Sequence, residues 1–229
     1  MIRRLFNRLK TRERAWRHGL GRDISTPEAR KQARFHFNWI DHGILRIHWK
    51  NFHRIAPDVY RANQPSPKRL AEWQGQGIRS ILNLRGESEY SPWLLEAEAC
   101  KQLGLKLVDH RIYASALASR EEILELIEIM RSIEKPFVMH CKSGSDRTGF
   151  AAVLYLHLFC DLPLAEAMRQ LHWRHFHLRG SKNGILDLFF EAYQQDAATS
   201  GKSLIEWIRN DYDRDSLTAK FAIDRGRGG

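Results

Sequence analysis

From about residue 52 onward, two patterns of apolar positions alternate along the chain. Short apolar runs predict buried strands over 52–55, 59–61, 78–84, 105–112 and 137–140. Between them, helical spacing behind Ser-Pro pairs or a Ser-x-x-Glu box predicts helices over 66–75, 93–103 and 119–134. Strands separated by helices of this length are typical of a parallel sheet. We therefore predict an α/β fold with a central, mostly parallel sheet of four to five strands flanked by helices.

Helical patterns extend on both sides of this alternation. They predict helices over 148–159, 164–171, 185–195 and 204–212, and another that starts at Thr26-Pro27. An apolar stripe among arginines predicts a short helix near the start of the chain, formed by Ile2, Leu5, Phe6 and Leu9. The chain is thus predicted to have a basic, helical N-terminal extension over 1–51, a folded domain over 52–200, and a C-terminal helix and frayed tail over 201–229.

Charge is concentrated in the N-terminal segment. The net charge of the 229 residues is +10, and residues 1–54 hold 14 Lys/Arg against 4 Asp/Glu. Residues 55–229 hold 23 of each and are neutral. A basic helix with an apolar stripe is typical of segments that bind an anionic membrane surface, here through residues 1–20. A docking helix and a solvated arm are the alternatives, and nucleic acid is disfavoured as a partner.

Several protein classes are excluded by composition. No apolar run approaches the length of a transmembrane helix, and three cysteines, Cys100, Cys141 and Cys160, cannot all pair within the chain. The basic opening has no apolar core of a secretory signal. We therefore expect a cytoplasmic protein, with peripheral binding at the inner face of the membrane as an added hypothesis. Cys100 and Cys160 are expected to be buried, and a redox role for either stays open.

The chemistry is concentrated in the stretch VMHCKSGSDRTG at 138–149, where a strand turns into a helix. Backbone N–H groups of such a loop, together with the N-terminus of the helix, form an anion site. Cys141 at the base of the loop is favoured as a thiolate. Arg147 carries a planar fork that matches two phosphate oxygens, and Thr148 places a hydroxyl beside the cysteine. Gly144 permits the turn, and Gly149 is expected to allow close packing of helix on strand.

The register of His140, Cys141, Arg147, Thr148 and Gly149 resembles the HCx5RTG signature of the cysteine-dependent tyrosine and dual-specificity phosphatases, in particular their atypical bacterial branch. The segments 59–65 and 81–85 share this resemblance. It implies hydrolysis through a cysteinyl-phosphate without metal or other cofactor. It also implies that Cys141 is the nucleophile, that Arg147 binds phosphate, that Thr148 assists the thiolate, and that His140 braces the loop.

The general acid is the point at which this sequence departs from the family pattern. The loop 113–119, where the resemblance would place an aspartate, contains no carboxylate. Asp146 lies beside Arg147 and is favoured as the proton donor or as the group that orients the arginine. Asp109 is the second candidate, although it is predicted to lie inside the strand 105–112.

Further side chains are predicted to contact the substrate. Within the loop these are Lys142, Ser143, Gly144, Ser145 and Gly149. Arg61 and Arg85, near predicted strand ends, are expected to line the same cleft, with surface salt bridges as the alternative. The histidine-rich run 172–182 is expected to form part of the rim. A metal site there is disfavoured because no cysteine is nearby.

Three classes of function remain after these arguments. The first, which we favour, is a tyrosine or dual-specificity protein phosphatase. The second is a phosphatase for a phospholipid or inositol phosphate at a membrane surface. The third is a catalytically silent module that binds phosphate. RNA 5′-triphosphatases share the signature and are given low weight.

Overall fold

The computed structural model describes residues 20–226, which form two compact units. The described part of the first comprises residues 20–50, 64–77 and 87–105. It contains α1 (Pro27–Phe35), a π-helical turn (His36–Ile40), α2 (Leu45–His48), α3 (Pro67–Gly75) and α4 (Ser91–Leu103). The Thr26 hydroxyl accepts the Ala29 N–H and starts α1, as its Thr-Pro sequence predicts. The apolar stripe predicted within residues 2–9 lies outside the described residues.

The second unit comprises residues 51–63, 78–86 and 106 onward, and it contains the sheet. Five strands run in the order β1 (His53–Ala56), β2 (Val59–Asn63), β5 (Phe137–Cys141), β3 (Ser80–Asn83) and β4 (Lys106–Asp109). Only the pairing of β1 with β2 is antiparallel. The predicted fold class, a mostly parallel sheet of four to five strands, is confirmed. The predicted domain boundaries at 51/52 and 200/201 stay a prediction, since the units are interleaved along the chain.

Helices on this sheet bury a continuous apolar core. They are α5 (Arg120–Ser132), α6 (Asp146–Phe159), α7 (Leu164–Ala167), α8 (Ile185–Ser200), α9 (Leu204–Asn210) and α10 (Arg214–Gly226). Residues 150–156 of α6 are all buried, as expected for a helix that is apolar on every side. The central position of β5 and the burial of α6 together fix the loop that joins them.

Two differences from the predicted elements have local causes. The strand predicted over 105–112 ends at Asp109, because the register breaks just beyond it: His110 still donates to the Asn83 carbonyl, but Ile112 donates to the Leu84 carbonyl, where a continued parallel ladder would use residue 85. The tail predicted to fray from residue 225 is preceded by α10. This helix begins where Asp213 Oδ1 accepts the N–H groups of Asp215 and Ser216. Among the described residues, no helix is long and apolar enough to cross a membrane.

Candidate active site

The candidate site is the loop between β5 and α6, at the edge of the sheet where the parallel strands end. Cys141 is the last residue of β5 and is 1% exposed. β2 and β3 flank β5, and their last residues, Asn63 and Asn83, pair with Cys141 and His140. Because the strands are parallel, three carboxyl ends meet here. Ligands of open α/β sheets bind at such an edge.

Gly144 is required by the path of this loop. Its φ is +73°, and a Cβ placed there would lie 2.7 Å from the Ala62 carbonyl oxygen and 2.9 Å from the Asn63 amide nitrogen. Both atoms belong to the backbone of β2, which cannot move aside. A glycine is therefore the residue that lets the loop pass this close to β2.

Arg61 braces the loop from beneath, and it does not lie on the rim where the sequence places it. Its side chain is fully buried. One terminal nitrogen donates to the Gly144 carbonyl at 2.6 Å, and the other donates to the Gln170 carbonyl at 2.9 Å. Burial lowers the pKa of Arg61 to about 9, so it stays charged at neutral pH. The predicted substrate contact is replaced by support of the loop backbone, because every contact of its fork is made inside the fold.

Asn51 provides a second brace, which sequence reasoning missed. Its Nδ2 donates to the Ser143 carbonyl at 3.1 Å and to the His175 carbonyl at 3.2 Å. Burial, and after it the charges of Arg61 and other neighbours, lowers the pKa of His175 to about 3, so this ring is neutral. Its Nε2 accepts from Arg174, so its Nδ1 carries the proton and donates to Asn51 Oδ1. No local sequence pattern marks Asn51 for this task.

These braces orient the loop peptides. The carbonyls of residues 143 and 144 are held by Asn51 and Arg61, and a trans peptide points its N–H away from its carbonyl. The following N–H groups, those of Gly144 and Ser145, therefore face the other side of the loop, where the Ser145 N–H makes a long contact of 3.4 Å with Ser143 Oγ. Such an array of N–H groups beside a helix N-terminus is the arrangement that binds an oxyanion.

Cys141 is tuned toward the thiolate. Burial by itself would raise the pKa of its thiol, but Arg147 and the hydroxyl and N–H of Thr148 outweigh burial and lower this pKa below its usual range. The Thr148 oxygen is buried and has no hydrogen-bond partner of good geometry among the described residues, so its proton can turn to the thiolate. The result is a nucleophile that is ionised more readily than an ordinary cysteine.

The remaining residues of the loop are buried or half-buried. Arg147 is half-buried, and its buried Nε makes no hydrogen bond among the described residues. Lys142 and Ser143 are half-buried, and Ser145 is buried at the start of α6. His140 is fully buried, with its Nδ1 3.4 Å from the Cys141 carbonyl oxygen.

Gly149 has a different task from the predicted packing of helix on strand. A Cβ at this position would lie 2.8 Å from a methyl carbon of Leu171 and 2.9 Å from the Gln170 carbonyl oxygen. The close approach is therefore to the turn after α7. Its N–H donates to the Ser145 carbonyl at 2.8 Å within the helix, so it is not offered to a ligand.

Asp146 is part of a buried row of three titratable side chains. Its Oδ1 lies 2.8 Å from Nδ1 of His177, and Nε2 of the same ring lies 2.7 Å from Oδ2 of Asp187. His177 belongs to the histidine-rich run, but it is buried, and neither it nor Asp187 was singled out from the sequence. The high density of histidines in residues 172–177 was the one feature of the sequence that pointed to this stretch.

Asp109 and Arg85 lie at or just after the ends of the two strands on one side of β5. Asp109 is the last residue of β4, not an interior residue as predicted, and its Oδ1 accepts from Asn83 at 2.7 Å. β4 is separated from β5 by β3, a spacing of about 10 Å at ~4.8 Å per strand. Arg85 follows β3, is half-buried, and donates its N–H to Asn83 Oδ1 at 2.9 Å.

Apart from the buried His175 and His177, most of the histidine-rich run lies at the surface. Trp173, Phe176 and Leu178 are exposed. Among residues 20–226, no three His, Cys, Asp or Glu side chains are grouped so that they could hold a metal ion. None of the cysteines among the described residues forms a disulfide, and Cys160 is exposed, contrary to the expectation that it is buried.

A family model described as "Tyrosine phosphatase family" matches residues 46–163, just over half of the chain. The dual specificity protein phosphatase TpbA of Pseudomonas aeruginosa is 27% identical over 110 residues, which are 46% of this chain and 45% of that protein. The chain thus matches less than half the length of this curated relative.

A solved structure shares the fold, and a second aligns less closely. The core catalytic domain of the PP-IP phosphatase SIW14 from S. cerevisiae aligns with a TM-score of 0.51 at 18% identity, covering 66% of this chain and 93% of that one. The crystal structure of TpbA aligns with a TM-score of 0.49 at 18% identity, over 76% and 91% of the two chains. At these identities the SIW14 alignment bears on the fold alone.

Proposed function

Since the chain belongs to the tyrosine phosphatase family, we propose that it hydrolyses phosphate monoesters through a cysteinyl-phosphate intermediate. The observation that carries this proposal is the Cys141 thiol. Its pKa is lowered by Arg147 and Thr148 against the effect of burial, at the base of a loop whose carbonyls are tied back. A thiolate and an oxyanion cradle on the same loop are what phosphoryl transfer to cysteine requires.

The reaction proceeds in two steps. The Cys141 thiolate attacks phosphorus, the ester P–O bond breaks, and the leaving oxygen takes a proton from a general acid. Water then attacks the phosphocysteine and gives a proton to the deprotonated general acid, while the S–P bond breaks and its electron pair returns to sulfur as the thiolate. Arg147 and the loop N–H groups contact the phosphoryl oxygens, with Lys142, Ser143 and Ser145 lining the cradle. His140 supports the loop from the core, and no cofactor takes part.

Asp146 is the better candidate for the general acid. It lies on the phosphate loop itself, close enough to raise the pKa of the Cys141 thiol by its charge. Asp109 lies two strands away and is bonded to Asn83. An acid must reach the leaving oxygen within hydrogen-bond distance, and the loop position meets this condition more directly.

Replacement of the nucleophile tests the proposal. Cys141→Ser should abolish turnover of p-nitrophenyl phosphate, a loss of at least about 1000-fold, and should retain binding of a phosphotyrosine peptide measured by calorimetry. Cys160→Ser is the matched control, because this exposed cysteine lies at the far end of α6 and should leave the rate unchanged. Turnover retained in Cys141→Ser would contradict the proposal. A wild-type chain that binds the peptide without turnover would indicate the silent module.

The substrate class is a finer proposal. A phosphotyrosine or phosphoserine/threonine protein is supported by the family and by the name of the curated relative, a dual specificity protein phosphatase. A phospholipid or inositol phosphate at the membrane is the second candidate. It is favoured by a specific surface of the first unit.

That surface, the 35–47 patch, combines exposed apolar and basic side chains. Trp39, Leu45 and Ile47 are 58%, 66% and 59% exposed, and Phe35 and Ile44 are also exposed. The Asn38 carbonyl accepts the Ile44 N–H at 3.1 Å, which holds the two halves of the patch side by side. Exposed cations flank it at Lys31, Arg34 and Lys50. Tryptophan and aliphatic side chains among cations match an anionic bilayer surface.

Vesicle flotation tests whether the 35–47 patch binds an anionic bilayer. The full chain should float with vesicles rich in phosphatidylglycerol and not with phosphatidylcholine alone, and added salt should weaken binding. Trp39→Ser with Leu45→Ser, and separately deletion of residues 1–19, should each reduce the floated fraction, while Ile223→Ser, an equally exposed position on α10, should not. Equal flotation of all variants would contradict a membrane role for this surface, and with it recruitment of a cytoplasmic protein to the inner face of the membrane.

A further inference from the structure

The row Asp146–His177–Asp187 joins the phosphate loop to a distant helix. Asp146 opens α6, His177 follows the turn at Trp173–His175, and Asp187 lies in the first turn of α8. The His177 side chain is 1% exposed, and those of Asp146 and Asp187 are 12% and 7% exposed. The two contacts of the ring, at 2.8 and 2.7 Å, are as short as charge-assisted hydrogen bonds.

The imidazole between the two carboxylates is protonated. Burial by itself would lower the pKa of His177, but the hydrogen bonds and charges of Asp146 and Asp187 raise it to about 9. Both ring nitrogens therefore donate, one to each carboxylate. The cavity beside the ring adds Arg169, His172 and Arg179, and the last of these is paired with Glu191 at 2.7 Å.

Such a row is costly to bury and weak as a source of stability. Taking charges out of water carries a desolvation penalty that their mutual attraction only just offsets, so apolar residues of similar size stabilise a core as well. The position of the row beside the phosphate loop says more about its role than its contribution to stability does. It fixes one oxygen of the one carboxylate that shares the loop with Cys141 and Arg147, and the structure shows no hydrogen bond to Oδ2 of Asp146 among the described residues.

We propose that His177, held by Asp187, is the positioning residue of Asp146: it occupies Oδ1, so that Oδ2 alone exchanges the proton with the reacting oxygens. This inference rests on the proposed phosphatase function. In the first step Asp146 reacts in the form that carries a proton on Oδ2: the leaving oxygen takes this proton, and the charged ring stabilises the carboxylate that forms. In the second step Oδ2 takes a proton from the attacking water as the S–P bond breaks. His177 keeps both its protons throughout.

Leaving-group dependence gives the first test. His177→Gln and Asp187→Asn should each lower kcat on phenyl phosphate, whose phenolate is a poor leaving group, by about 10- to 100-fold. This loss should not exceed that of removing the general acid itself, which is ~100-fold or larger. On an activated aryl phosphate such as p-nitrophenyl phosphate we expect less than about a threefold change, with KM unchanged on both. In an Asp146→Asn background, His177→Gln should cost almost nothing more, because residues that act as a unit are not additive. A purely structural role predicts equal losses on both substrates and would overturn the proposal.

A matched control separates positioning from general damage to the fold. His157 is a half-buried histidine on α6, and its Nδ1 lies 2.9 Å from the Leu162 carbonyl oxygen, away from any carboxylate of the loop. His157→Gln should keep the wild-type ratio of rates on the two substrates. If His157→Gln changed this ratio as much as His177→Gln does, the effect would not belong to the row.

Chemical rescue and a pH profile make the test independent of the glutamine variant. A cavity of about 790 Å³, lined by both His177 and Asp187, gives small molecules access to the ring position. Imidazole in solution should restore phenyl phosphate turnover in His177→Gly and have no effect on His157→Gly or Asp146→Asn. Absence of rescue in a folded His177→Gly variant would count against the proposal.

If that variant does not fold, the pH profile of Asp187→Asn decides. The fall of its kcat on phenyl phosphate at alkaline pH should occur at a lower pH than in the wild type.

The two proposals fail in different ways. If Cys141→Ser retains turnover, the phosphatase proposal itself is lost. If Cys141→Ser is inactive but His177→Gln has the wild-type preference between the two leaving groups, only the role of the row is lost.

Discussion

At the scale of single residues, the site depends on hydrogen bonds to the back of the phosphate loop. Arg61 is the largest of these supports, since one fork holds the Gly144 carbonyl and the Gln170 carbonyl together. A guanidinium can do this because its donors are planar and fixed in direction, whereas an ammonium is a point charge on a flexible stem. The side chain that the sequence suggests as a substrate ligand therefore donates to the backbone of the proposed phosphate loop.

Arg61→Lys tests this support while keeping the charge. A lysine cannot reach both carbonyls at once, so at least one buried carbonyl loses its partner, and we expect a loss of about 1–3 kcal/mol in the free energy of unfolding. Binding of vanadate should weaken in parallel. Chemical denaturation and vanadate titration measure the two effects. Arg54→Lys, an exposed position on β1, is the control, and equal behaviour of both variants would contradict a bracing role.

At the scale of elements, local sequence explains how the helices begin. The capping box predicted at Ser119 and Glu122 is present: Ser119 Oγ accepts the Glu122 N–H at 3.2 Å, and Glu122 accepts the Ser119 N–H at 2.6 Å. α5 buries Ile123, Leu126, Ile127 and Met130, which share one face at helical spacing. Both bonds lie within one turn, so the sequence alone contains what is needed to predict them.

Ser119→Ala should destabilise the unit by about 1 kcal/mol, because the first N–H groups of α5 lose an acceptor. Thermal unfolding measures this change. Ser132→Ala at the other end of α5 removes an exposed hydroxyl that donates only to carbonyls of its own helix, and it should change stability by less than about 0.5 kcal/mol. The cap would be unimportant if the two variants unfolded alike.

At the scale of the whole molecule, the fold shifts the pKa values of two histidines, His175 and His177, in opposite directions. The pKa of His175 is lowered to about 3, chiefly by burial, and this ring is neutral. Despite burial, the pKa of His177 is raised to about 9 by its two carboxylate partners, and this ring is charged. The difference comes from what the fold places beside each ring: Asn51 and arginines for one, two carboxylates for the other.

The free energy of unfolding should reflect this arrangement. The folded pKa of His177 lies above its unfolded value of about 6.5. Its contribution is therefore fully present below pH 6.5 and is lost as pH rises toward 9, with a slope of at most about 1.4 kcal/mol per pH unit. The stability difference between the wild type and His177→Gln, measured by denaturation from pH 6 to 10, should shrink over this window. A difference that does not vary with pH would mean that the ring is neutral in the fold.

The sequence by itself determined the α/β order, the strand–loop–helix around Cys141, the glycine at the turn and the caps of the helices. These features depend on periodicity and on bonds within a few residues of each other. Tertiary structure alone decided which side chains support the loop. Asn51, Arg61 and His177 reach it across 92, 83 and 31 residues of chain. A hydrogen bond across such a separation forms only when packing has already brought its partners together, and no local pattern encodes it.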